Sequence, residues 1–238
     1  MNPLDQASTF SAYLFAGITG AVAVVLLRAY GRSKGPRAHA RGAVVLVIFL
    51  AGLGRLAQAG MLDDFDILPP PALLLFAASI GLGVVLALTS VGEGVLQRLG
   101  IAGVVGYQVF RVPVEYGLHR LFEEGALPVQ MTWAGWNFDV LTGATAVVVA
   151  VWAKTGRLPR TVLVSWNLLG LALLINIVTI AVLSTPTPLR AFAAEPANYL
   201  PATFPYLWLP MFLVPSAAFG HLLVFRWLRE NRSVGPPG

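Results

Sequence analysis

Phe10 to Tyr30 reads FSAYLFAGITGAVAVVLLRAY, twenty-one residues in which the one charged side chain, Arg28, stands near the end. A hydrocarbon core about 30 Å thick is crossed by roughly 20 apolar residues in a helix. This run meets that requirement. Six more runs of similar character follow, at 41–61, 71–90, 100–122, 137–153, 161–183 and 205–227. The predicted fold is therefore all-α: a polytopic membrane helix bundle of seven transmembrane helices. The first run is read as a retained helix. The leader before it, Met1 to Ser8, holds Asp5 and no Lys or Arg, whereas a cleavable signal peptide carries a positive n-region.

Composition agrees. Hydrophobic residues make up 57% of the 238 residues and charged residues 11%, against about 25% in a soluble domain. Mean hydropathy is +0.74. The net charge of +5 does not point to nucleic acid, because the positive residues sit at span ends. Arg28, Arg32, Lys34, Arg37 and Arg41 surround the first connection and Arg98 lies in the third. Lys154, Arg157 and Arg160 lie in the fifth, and Arg226, Arg229 and Arg232 close the last span. Acidic residues take the opposite connections: Asp5, Asp63, Asp64, Asp66, Glu123, Glu124 and Glu195. The positive-inside rule then predicts an external N-terminus and a cytoplasmic C-terminus in the inner (plasma) membrane. Residues 1–232 read as a single domain and 233–238 as a disordered tail. The long connection Ser184 to Phe204 holds Pro186, Pro188, Pro196 and Pro201, which rules out a continuous helix. Its apolar side chains suit a lid across the outer mouth, or an ordinary ordered loop.

An ionisable residue inside a span costs at least about 2.5–3.5 kcal/mol on insertion scales, so it pairs or faces a cavity. The fourth span carries Gln108, Arg111, Glu115 and His119 on one stripe. Arg111 and Glu115 stand four residues apart, a spacing that allows an ion pair. Pro113 between them frees the carbonyl of Val109. The fifth span opens with Asn137 and Asp139, and Asp139 shares a face with Gly143, Ala146 and Ala150, near the outer interface where Arg111, Arg120 or Arg55 could reach it. Gln108, Arg111, Glu115, His119, Asn137 and Asp139 form the candidate ligand site. The predicted pocket lies between the fourth, fifth and seventh spans beneath the Ser184–Phe204 loop, with Arg111 as its floor. The same residues also fit helix-locking pairs, with Asp139 a helix cap.

Other polar residues are placed outside that pocket. Asn167 and Asn176 fall on opposite sides of the sixth span. His221 lies on a small-residue face of the seventh, and the span limits put it roughly 20 Å from His119 in depth. One metal cannot bridge the two histidines. Glu115, His119 and Asp139 could meet around a metal but lack a diagnostic ligand spacing. The chain has no cysteine, and Lys34 and Lys154, its only lysines, lie at span ends. No catalytic residue, metal or cofactor is nominated.

Phe110-Arg111-Val112-Pro113-Val114-Glu115, then Pro128, Met131-Thr132 and Gly135-x-Asn137-Phe138-Asp139, resemble a pattern in uncharacterised bacterial multi-pass integral membrane proteins. Trp208-Leu209-Pro210, Val214-Pro215 and His221-Leu222 resemble the last span of that group. The resemblance covers roughly the C-terminal half and implies a seven-span fold with no established activity. The expected function is binding or transport of a small polar or anionic solute. The alternatives are an accessory or sensory membrane subunit and an intramembrane enzyme. Expected partners are the lipid bilayer, the solute, and another membrane protein or a second copy, with no nucleic acid.

Overall fold

The computed structural model describes residues 2–231. The predicted tail at 233–238 lies outside the described residues. Among them every regular element is helical: α1 Thr9–Lys34, α2 Pro36–Gln58, α3 Pro71–Leu88, α4 Ser90–Gly106, α5 Arg111–Glu123, α6 Val140–Lys154, α7 Arg160–Ser184 and α8 Val214–Glu230. Short 3-10 turns join some of them, and a π-turn, Leu209–Leu213, leads into α8. Five helical segments are long and apolar enough to cross a membrane: α1, α2, α3, α7 and the Leu209–Glu230 run. Their outward faces agree. Val44, Val45, Val47 and Ile48 of α2 are each more than half exposed, as suits lipid and not water.

The fourth span departs from its sequence reading at its start and in the middle. The third connection was expected to be a loop, but Ser90 already begins α4 behind the Thr89 cap. Gly100 then breaks the helix at φ 63, a left-handed conformation that a residue with a Cβ seldom adopts. Past the break the backbone is helical through to Glu123, with a 3-10 turn at Tyr107–Phe110. Pro113 accounts for that turn. It has no N–H for the carbonyl four residues back, and its ring crowds that carbonyl. The fifth span is shorter than expected, because α6 starts only at Val140.

Contacts gather the connections at two opposite ends. At one end Arg226 donates to the carbonyls of Ala87 (3.3 Å) and Thr89 (2.9 Å) and pairs with Glu93 (3.4 Å). Arg160 reaches the carbonyl of Leu228 at 2.7 Å, so the C-terminal end of α3, the start of α7 and the end of α8 meet there. At the other end Glu124 accepts from the Ser8 backbone N–H (3.0 Å), the Ser8 hydroxyl (2.6 Å) and the Ser11 hydroxyl (3.0 Å). A carboxylate thus caps the N-terminus of α1, where the helix dipole favours negative charge. Burial alone would raise the Glu124 pKa, but the Ser8 and Ser11 hydrogen bonds and the Arg120 charge together hold it below the usual carboxylate range.

Candidate functional site

Arg111 begins α5 in the middle of the bundle and is 2% exposed. Its side chain can lie there because α6 comes close. A Cβ on Gly143 would stand 2.9 Å from the Val112 nitrogen and 3.2 Å from Arg111 Cβ. The expected partner of Arg111 was Glu115. The structure gives it Asp139 instead, with Nε donating to Oδ2 at 2.5 Å and Nη2 donating to Oδ1. The fork geometry of a guanidinium matches a carboxylate in this way. Glu115 sits one turn further along α5, so the Arg111 fork is turned away from it and towards the start of α6.

The remaining Arg111 donors point inward. Nη1 lies 3.0 Å from His221 Nε2, and both terminal nitrogens reach the Gly170 carbonyl, at 3.5 and 3.4 Å. Arginine has no acceptor, so Nε2 must accept and the imidazole proton belongs on Nδ1. Nδ1 in turn donates to Asn167 Oδ1 at 2.8 Å, and Asn167 Nδ2 donates to the His221 carbonyl at 3.2 Å. His221 and Asn167 were placed too far towards the cytoplasm to join this group, and the structure corrects that. The predicted seventh span, 205–227, is centred near residue 216. The observed helical run, Leu209–Glu230, is centred three to four residues later, because Pro205 and the turns before it delay the helix. His221 is therefore close to mid-depth, and the long Arg111 side chain covers the rest. Gly170 makes room for the contact: a Cβ there would stand 2.7 Å from His221 Cε1 and 2.7 Å from Thr142 Cγ2.

Glu115 is 1% exposed, and its Oε2 accepts from Asn137 Nδ2 at 2.6 Å. Asn137 is itself fixed by the Met131 carbonyl (3.0 Å) and by the Asp139 N–H, which donates to its Oδ1 at 3.0 Å. Among the described residues the other Glu115 oxygen accepts no hydrogen bond. Asp139 precedes α6 in the cap position, but its carboxylate does not bond a helix N–H; Arg111 takes it.

The other two candidates lie apart. Gln108 is buried and donates to the Ala217 carbonyl at 3.0 Å, which ties α8 to the 3-10 turn; its Oε1 has no hydrogen-bond partner among the described residues. His119 stacks on Trp133 with ring centroids 4.4 Å apart, at the end where the Glu123 carboxylate lies 3.8 Å away. Among the described residues no three His, Asp or Glu side chains come together as a metal requires.

A cavity of about 70 Å³ does lie under the Ser184–Phe204 loop; Val114, Glu115 and Leu118 of α5, Asp139 and the last span line it, and α3 and α7 add walls that were not predicted. Leu174, Ile177, Val178, Ala181 and Val182 of α7 face Leu73 and Phe76 of α3 across Leu209, Pro210 and Val214. Thr185, Asn198, Leu200 and Pro201 roof it. The roof is held by Asn198, which donates to the Ala181 carbonyl (3.0 Å) and accepts from the Leu200 N–H (3.1 Å). Of the six candidate residues, Glu115 and Asp139 line this cleft. Arg111, Gln108, His119 and Asn137 do not. Sequence reasoning missed the α7 wall because its residues are plain apolar, with nothing to separate a cavity wall from a lipid face. The Pro210/Pro215 pair was the available signal for the π-turn floor.

The arrangement is an all-helical bundle with membrane-length helices, a buried polar cluster and one apolar cleft ending on carboxylates. Residues 73–229 match the family described as a domain of unknown function (DUF8737), and the chain belongs to that family. The matched stretch takes in the Arg111 cluster and the whole cleft, while α1 and α2 precede it. No curated protein and no solved structure matches the chain.

Proposed function

We propose that this is a seven-span protein of the inner (plasma) membrane that binds, or binds and moves, a small solute in the cleft beneath the Ser184–Phe204 loop. Five helices of membrane length support the span count, together with two runs that Gly100, the 3-10 turn and the late start of α6 interrupt. The concentration of Arg28, Arg32, Lys34, Arg37, Arg41, Lys154, Arg157 and Arg160 on alternate connections supports an external N-terminus and a cytoplasmic C-terminus.

One observation carries the functional reading. An apolar cavity inside the bundle ends on the carboxylate of Glu115, a residue 1% exposed, one oxygen of which has no hydrogen bond among the described residues. Concave, mostly apolar sites with a few convergent polar groups are the usual form of small-molecule sites. A π-turn at Leu209–Leu213 forms part of the wall, and such turns are frequent at functional sites. The second reading is an accessory or sensory subunit whose polar residues only join helices. The completeness of the Arg111 network favours it.

The chain has no native cysteine, so single cysteines separate the two. Val182→Cys, in the cleft wall, should react with a membrane-impermeant thiol reagent added from outside, and Leu163→Cys, in the core near the basic end, should not. If Val182→Cys stays unlabelled under native conditions, the cleft is closed packing and the accessory reading replaces the solute site.

A further inference from the structure

The solute's charge follows from which polar groups in the cleft are already spent. A small polar or anionic solute above an Arg111 floor was the expectation from the sequence. Every Arg111 nitrogen is engaged by the protein: Nε and Nη2 by Asp139, Nη1 by His221, and both terminal nitrogens by the Gly170 carbonyl. Arg111 also does not line the cavity. It has no donor left to offer an anion.

The carboxylates that do line the cleft are unequal. Asp139 has both oxygens on Arg111, so its charge is matched inside the protein. Glu115 has one oxygen on a neutral amide and the other on nothing among the described residues. The charged groups facing Glu115 are Asp139, which is like-charged, and Arg111, which is committed to Asp139. The cleft walls from α3, α7, the loop and the π-turn add no charged side chain. Thr185 and Asn198 are the polar members of the roof, and both are bonded to the Ala181 carbonyl.

A buried carboxylate in an apolar wall is relieved of its charge by a proton or by a cation. Apolar walls also focus the field of a single charge along a cleft. We infer that the cleft takes a small organic monocation, an alkylammonium-type head on an apolar body, with Glu115 as its counter-ion. This rests on the solute-site reading above. A bare metal ion fits less well, because Na⁺, Ca²⁺ and Mg²⁺ need several oxygen ligands and the cleft offers few that are free. Size is consistent: the cavity measures about 70 Å³ with a water-sized sphere, where one water needs about 10–15 Å³ on that measure, so it leaves room for a short-chain ammonium. The leucine, isoleucine and valine walls would contact its alkyl part.

Three probes of nearly one shape test this on the natural chain in detergent: butylammonium, butyrate and 1-butanol. Thermal stability is followed as a function of probe concentration, since a ligand that binds the folded state raises the melting temperature. Butylammonium should stabilise saturably, butyrate and butanol should not, and butylammonium should protect Val182→Cys from the thiol reagent. Glu115→Gln keeps an acceptor for Asn137 and removes the charge. It should weaken butylammonium binding by about tenfold or more. If butyrate or butanol stabilises and protects as well as butylammonium, the charge class is wrong and the solute site stands. If Val182→Cys is labelled but no probe stabilises or protects, the cation proposal is overturned. If Val182→Cys is never labelled, the solute site itself falls. Unchanged butylammonium affinity in a folded Glu115→Gln protein overturns the role given to Glu115.

Discussion

Asp139 and Glu115 line the same cleft, yet their surroundings are opposites. Asp139 is gripped by both edges of the Arg111 fork, and the chain of bonds continues through His221 to Asn167. Glu115 rests on the Asn137 amide by one oxygen and forms no ion pair among the described residues. A polar network in which every member is satisfied specifies how helices meet. A buried charge left open costs free energy that packing cannot recover, so it marks the place where something else is expected to bind. Residue type alone does not separate these roles, since both are acids on or beside a span. The direction in which the one nearby arginine points separates them.

Removing Arg111 gives the largest expected effect. Arg111→Met leaves Asp139 buried without a partner, at a cost of about 3–5 kcal/mol. Combining it with Asp139→Leu should recover much of that loss, while combining it with Glu115→Leu should not. Melting of the single and double variants in detergent checks this, and strong coupling to Glu115 in place of Asp139 would reverse the assignment of partners.

Gly170→Ala attacks the same network through space. Its Cβ would stand 2.7 Å from both His221 and Thr142, so the helices must part or His221 must turn. Overpacking of this kind costs about 1–3 kcal/mol. The loss should shrink when His221 is shortened to Ala in the same chain. Additive losses would mean that His221 does not fill the space beside Gly170.

The smallest effect lies at the bundle end, where Glu124 caps α1. Its pKa in the folded chain is below the ordinary value of 4.5, so its contribution is complete above that value. It fades as pH falls through the lower folded value, and acidification should therefore destabilise. Glu124→Gln should cost about 1 kcal/mol at neutral pH and flatten the acid limb of the stability profile. An acid limb unchanged in Glu124→Gln would assign it to other carboxylates.

Much of this architecture was legible in the residues. The apolar runs located the long helices, and Pro113 announced the disturbance in the fourth span. The cost of intramembrane charge picked out Arg111, Glu115 and Asp139 before any geometry. Periodicity within one helix cannot say which neighbour a side chain meets. The i,i+4 spacing favoured Glu115 for Arg111, while the close approach permitted by Gly143 brought Asp139 nearer. Depth was the other weak point. A shift of three to four residues in the centre of the last helical run, Leu209–Glu230, moved His221 from outside the cluster to its centre. The α3 and α7 walls of the cleft were invisible, because an apolar wall and a lipid-facing surface draw on the same residues.

The two carboxylates can be compared directly by neutralising each with its amide. In solute-free protein at neutral pH, Asp139→Asn should lower the melting temperature sharply, because it strips the charge from the Arg111 fork. Glu115→Gln should leave it unchanged or raise it, because no ion pair holds Glu115 among the described residues and the amide keeps an acceptor for Asn137. Equal losses from the two substitutions, or a larger loss from Glu115→Gln, would contradict the division between a structural pair and an open site.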